Sequence, residues 1–211
     1  MELEAELEQA RALDERELAD AIESIGFECT RCGHCCKGMD GEEHTATVFP
    51  DEVREIESET EYDWRDIARP MPFGLDEDGT GETFEWALQT TDCGDCTFYR
   101  EADGQGACTV HEDRPLICQT YPFSVAIGGT TEPMGEAVDR EGIVRAHECE
   151  GLGRDISREE AEELASALKE RAVRELEEAI GVRDNYTPTD APGEIVVHDS
   201  EGPKHPDGTR R

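Results

Sequence analysis

Positive charge is scarce in this chain, and lysine scarcest of all. Its 211 residues hold 20 Lys+Arg against 53 Asp+Glu, a formal net charge of −33, and the lysines are Lys37, Lys169 and Lys204 alone. Aromatic residues make up 6% and hydrophobic residues 36%, so a chain of this length needs a source of stability besides its apolar core. No apolar run approaches the ~20 residues of a membrane span. The opening MELEAELEQA is acidic, where a secretory signal is basic and then apolar. These absences argue against a membrane partner and for a cytoplasmic location. So acidic a surface repels phosphate backbones, which argues against nucleic acid as a partner. The chain also lacks G-x-x-x-x-G-K-[ST], G-x-G-x-x-G after a strand, G-x-S-x-G and C-x3-C-x2-C. Nucleotide binding, serine hydrolysis and radical chemistry on S-adenosylmethionine therefore have no motif here.

The acidic residues are spread along the whole chain rather than gathered in one tail. A uniform excess of one sign destabilises a compact state by self-repulsion until counter-ions screen it, the balance found in salt-adapted proteins. A halophilic source is the expectation.

What the chain does have is cysteine. Nine are present, and all lie between residues 29 and 149. In a reducing compartment, clustered cysteines hold metal more often than they pair in disulfides. Cys29, Cys32, Cys35 and Cys36 read C-x2-C-x2-C-C, with Gly33 where the backbone must curl. Two-residue gaps turn successive thiolates towards one centre, a spacing shared by zinc sites and iron–sulfur clusters. Adjacent side chains diverge, so Cys35 and Cys36 are expected to serve two sites, or two metals of one site. With Cys96, Cys108, Cys118 and Cys149 the total is eight, enough for two zinc ions, one zinc with a [4Fe–4S] cluster, or one cluster with thiols to spare. Cys93 makes a further C-x2-C pair with Cys96.

Around this centre the pattern predicts an α+β protein: a small, loop-rich, metal-stabilised domain with short antiparallel strands and flanking helices. An N-terminal helix is expected over 1–26, its apolar positions Leu3, Leu7, Ala10, Leu13, Leu18, Ile22 and Ile25 stepping along one face to Gly26. The metal domain spans 27–152. Within it PDEVREIES opens a helix at Pro50, TFEWALQ and YPFSVAI read as strands, and Gly128-Gly129 marks a turn. A C-terminal helix fills 153–183, with a capping box at Ser157 and Glu160 and a stop at Gly181. Residues 184–211, rich in Pro, Gly and Asp, read as a flexible acidic tail.

The ordered set Cys29-x2-Cys32-x2-Cys35-Cys36, Cys96, Cys108-Thr-Val-His-Glu-Asp-Arg114-Pro115-Leu-Ile-Cys118-Gln-Thr-Tyr121-Pro122-Phe123 and Cys149-Glu-Gly closely resembles the YkgJ-type cysteine-cluster family. That resemblance covers roughly 27–152. It implies a zinc- or iron-chelating domain, and through a flagellin lysine N-methylase branch of the family it carries an iron–sulfur alternative with redox or protein-modifying chemistry. His111 and Gln119 stand where much of the family carries Tyr and Arg, and Cys93 is extra to its eight cysteines.

Eight thiolates are thus the candidate ligands: Cys29, Cys32, Cys35, Cys36, Cys96, Cys108, Cys118 and Cys149. Four thiolates on a divalent ion leave a net charge of about −2, costly to desolvate without compensating cations. Arg31, Lys37 and Arg114 are the candidates for that role beside the cofactor, Arg114 because the resemblance places it in the Arg-Pro element. His34, His111 and His147 could each complete a Cys3His site, but with enough thiols at hand they are expected beside the ligands or at the surface; His44, His198 and His205 look incidental. The functional expectation is a metal-binding protein whose partner is an ion or cluster, together with a protein partner or substrate.

Overall fold

The computed structural model describes residues 3–38, 41–127, 137–139 and 142–211. Their secondary structure is mixed α+β, with short strands in small sheets. In chain order the first half runs α1 (Leu3–Arg11), α2 (Glu15–Ile25), β1 (Thr47–Val48), α3 (Pro50–Glu59), α4 (Trp64–Ile67), β2 (Ala68–Pro70), β3 (Gly81–Thr83) and β4 (Trp86–Leu88). Then follow β5 (Tyr99–Ala102), β6 (Gln105–Cys108), α5 (Leu116–Thr120), β7 (Phe123–Val125), β8 (Ala137–Asp139), β9 (Val144–His147), α6 (Arg158–Asn185), β10 (Ile195–Asp199) and β11 (Gly202–Lys204). The expected Gly128-Gly129 turn lies outside the described residues. Among the described residues no helix is long and apolar enough to cross a membrane.

The chain divides into two compact units. One comprises Met1–Cys35 and Leu116–Glu177, the other Cys36–Pro115 and Glu178–Arg211.

In the first unit the expected single N-terminal helix is two helices. Asp14 is the reason: its carboxylate accepts from the Arg16 N–H at 2.8 Å and caps a new helix, α2, so α1 ends at Arg11. Leu18, Ala19 and Ile22 of α2 are buried, as are Phe123 and Val125 of β7 and Val144 and Ala146 of β9. β9 lies between β7 and β8 in an antiparallel sheet, with Phe123 opposite Ala146 and Val125 opposite Val144. α6 begins as expected: the Ser157 N–H donates to Glu160 at 3.0 Å and the Glu160 N–H donates to the Ser157 hydroxyl at 3.2 Å.

The second unit is built on β4, paired antiparallel with β1 and β2 and buried at all three positions. Pro50 starts α3, which buries Val53 and Ile56. Trp64 meets Trp86 edge-to-face at 5.0 Å. Each large side chain fully buried here contributes about 1.5–3 kcal/mol.

The expected flexible tail is instead two strands. β10 runs parallel to β3 and antiparallel to β11, and Val196, Val197, His198, Asp199 and Lys204 are all buried. The cause is an ion pair that the composition hides. Lys204 Nζ lies 2.7 Å from Asp199 Oδ2, and the Trp86 indole N–H donates to that same oxygen at 2.9 Å. Gly181 does not end α6; it sits within the helix, where Ser200 approaches the place a Cβ would take.

Candidate metal centre

In the first unit, the segment bearing Cys29 is paired antiparallel with the segment bearing Cys149. Phe27 bridges Leu152, the Glu28 N–H donates to the Gly151 carbonyl at 3.0 Å, and the Gly153 N–H donates to the Gly26 carbonyl at 2.9 Å. Gly151 permits this approach, because a Cβ there would collide with the Glu28 carbonyl. After Cys29 the chain curls through left-handed backbone at Arg31 (φ 57°) and Gly33 (φ 77°) into a 3-10 turn over His34–Cys36. Glycine takes such a φ without strain; arginine adopts it at a cost.

The curl brings Cys32 and Cys35 into the electrostatic neighbourhood of Cys149. Burial pushes the Cys149 thiol up, and the nearby Cys32, Cys35 and Cys29 push it further, while the Gly151 N–H, 3.4 Å from the sulfur, pulls the other way. Tyr121 reports the same gathering. Its hydroxyl is pushed up to about 12 by burial, then by Cys149, Cys35 and Cys32. All nine cysteines are present as thiols. Among the described residues, however, no three His, Cys, Asp or Glu side chains converge on one point that could hold an ion.

The thiols gathered in this neighbourhood, Cys29, Cys32, Cys35 and Cys149, are soft donors of the kind that suit a thiophilic metal. Thr30 adds a buried hydroxyl with no hydrogen-bond partner, in the loop between Cys29 and Cys32. An orphaned donor beside thiolates is what a charged sulfur site requires of its surroundings.

In the second unit, backbone pairing collects three other cysteines. The Cys96 N–H donates to the Cys36 carbonyl at 2.8 Å, the Tyr99 N–H to the Cys96 carbonyl at 2.9 Å, and Tyr99 lies opposite Cys108 in the β5–β6 ladder. Cys93 is exposed at a turn, its sulfur 3.0 Å from the Thr91 hydroxyl. Cys35 and Cys36, adjacent in sequence, fall in different units. Cys118 lies on α5 in the first unit.

Each of the three candidate cations has its own surroundings. Lys37 Nζ is 2.7 Å from Glu101 and 5.1 Å above the Tyr99 ring. Arg114 Nε donates to the His111 carbonyl at 3.0 Å, and Arg31 is exposed. Of the histidines, His147 is buried against the Ser124 hydroxyl at 2.8 Å, His34 and His111 are exposed, and His198, incidental by sequence, is buried 3.2 Å from Glu82. Sequence reasoning missed the part played by Tyr121, whose hydroxyl donates to the Glu148 carbonyl next to Cys149.

A cysteine-rich loop closed against a later cysteine is the pattern of a metal-chelating module. The chain belongs to the CxxCxxCC family, whose profile, described as "Putative zinc- or iron-chelating domain", matches residues 28–150. No curated protein and no solved structure matches it.

Proposed function

We propose that this protein binds zinc or iron through eight thiolates, Cys29, Cys32, Cys35, Cys36, Cys96, Cys108, Cys118 and Cys149, and that Cys29, Cys32, Cys35 and Cys149 make one four-sulfur centre. The observation carrying this reading is the antiparallel pairing that sets the segment opening the C-x2-C-x2-C loop against the Cys149 segment, with Phe27 bridged to Leu152 and the Glu28 N–H donating to the Gly151 carbonyl at 3.0 Å. A bound ion would lock those two segments together and add its binding energy to folding. Such a module chelates or is organised by its metal, in keeping with a family described by metal chelation. A reducing, salt-rich cytoplasm fits the requirements: thiolate ligands must stay reduced, and a net charge of −33 calls for counter-ions.

Anaerobic purification at high salt, followed by metal analysis and a visible spectrum of the same sample, tests this. The expected result is zinc or iron in stoichiometric amount, lost in part on Cys149→Ser. Protein with no metal above background and nine freely alkylated cysteines would refute it.

A further inference from the structure

A buried arginine ties α6 to the segment around Tyr121-Pro122 in the first unit. Arg171 is 2% exposed on α6, and its guanidinium is hydrogen-bonded within this unit. Nε donates to Glu175 at 2.7 Å, and Nη1 donates both to the Thr120 hydroxyl at 3.0 Å and to the Phe123 carbonyl at 3.2 Å. Those last two groups flank Tyr121-Pro122. Thr120 closes α5, the helix of Cys118, and its hydroxyl in turn donates to the Leu116 carbonyl at 2.7 Å. Phe123 opens β7.

From Tyr121-Pro122 the contacts run to the Cys149 segment. The Pro122 carbonyl accepts from the His147 N–H at 2.9 Å, and the Tyr121 hydroxyl donates to the Glu148 carbonyl. Ser124, the next residue of β7, is hydrogen-bonded to the His147 ring. One planar cation therefore fixes the segment that fixes the two residues before Cys149. A guanidinium suits this position because its forked donors reach several acceptors at set angles, which a single ammonium cannot do. Glu175 supplies the counter-charge that lets the cation stay buried.

We propose that Arg171 is a positioning residue for the metal centre, setting the approach of Cys149, and with it Cys118, to the C-x2-C-x2-C loop. This rests on the thiolate reading above. Arg171 lies outside the matched segment 28–150, so α6 is part of the centre although the family profile ends before it.

The test uses the full chain with Co(II) as the probe, in parent, Arg171→Met and Arg171→Lys proteins, with Arg158→Gln as a control elsewhere on α6. Arg158 engages Asp20, Glu23 and Glu162, so its loss perturbs the same helix away from this network. Arg171→Met is expected to weaken Co(II) binding about 10- to 100-fold, the usual cost of removing a group that orients a ligand. Its thiolate-to-cobalt absorbance per bound ion should also fall, as one sulfur is lost from the shell. Arg171→Lys should recover part of both, and Arg158→Gln should change neither.

A second readout needs no metal: alkylation of Cys149 in the reduced apo-protein, followed by mass spectrometry, should quicken several-fold in Arg171→Met. Thr120→Val, which removes one acceptor, replaces Arg171→Met if that variant does not fold. Unchanged cobalt spectra, affinity and Cys149 alkylation in folded Arg171→Met or Thr120→Val would overturn the proposal. A parent protein that takes up no cobalt would instead overturn the thiolate reading, and the alkylation rates would still decide the role of Arg171.

Discussion

Tyr121 and Glu148 are joined by a hydrogen bond from the tyrosine hydroxyl to the glutamate's backbone carbonyl, one residue short of Cys149. The bond ties the Arg-Pro element's end to the start of the last cysteine segment, and it places a phenol among the thiols.

Removing that donor tests the tie. Tyr121→Phe leaves the ring and deletes one hydrogen bond, a loss of about 1–3 kcal/mol where the carbonyl is left unsatisfied. Zinc affinity, measured by competition with a chromophoric chelator, is expected to fall about tenfold. Unchanged affinity would mean that Glu148 does not need Tyr121 to hold its place.

Gly151→Ala tests the pairing of the two cysteine segments. The new methyl would meet the Glu28 carbonyl, with the Phe27 ring 3.0 Å away, and neither is a flexible chain end. Overpacking of this kind costs about 1–3 kcal/mol. Denaturant unfolding at high salt should show that loss, accompanied by weaker metal binding.

The C-terminal strands offer a test apart from the metal. Lys204 lies 2.7 Å from both Asp199 and Glu201, and the side chains of Lys204 and Asp199 are almost wholly buried. Lys204→Met deprives the buried Asp199 of its cation, and breaking a buried ion pair from one side costs about 3–5 kcal/mol. Limited proteolysis should then cut within 186–211 at protease levels that leave the parent intact. Equal resistance would show that the strands hold without the ion pair.

Acid sensitivity follows from Glu82. The Thr189 hydroxyl and N–H, with His198 and Tyr186, hold its carboxyl down at about 2, against burial, which would raise it. The folded value is lower than the unfolded one of about 4.3, so the stabilisation is complete above pH 4.3 and is lost as pH falls towards 2. In the apo-protein, Glu82→Gln should therefore flatten the fall in stability between about pH 4.3 and 2. A curve parallel to the parent's would contradict the assignment.

Local signals are legible in the sequence wherever one residue decides one structure. Pro50 starts a helix, Ser157 and Glu160 cap one, and the cysteine spacing marks the metal-binding loop. The family is legible for the same reason, since its signature is a spacing. What escapes are relations between distant residues. Asp14 reads as one more acid in an acidic helix until its side chain is seen capping α2. Lys204 and Asp199 look like a solvated tail, because nothing local says that the pair will be buried against Trp86. Arg171 sits on the apolar stripe's helix as an ordinary charge, and only the fold shows that its partners are Thr120 and Phe123. Lys37 neighbours Cys36 in sequence, whereas Glu101, 64 residues away, takes its charge.

The central claim is that Cys149 shares one metal with the C-x2-C-x2-C loop, and X-ray absorption at the edge of the bound metal addresses it most directly. The account predicts a first shell of sulfur at about 2.3 Å for zinc, with one sulfur fewer at the affected ion in Cys149→Ser. A shell dominated by nitrogen and oxygen, or a sulfur count that Cys149→Ser leaves unchanged, would contradict it.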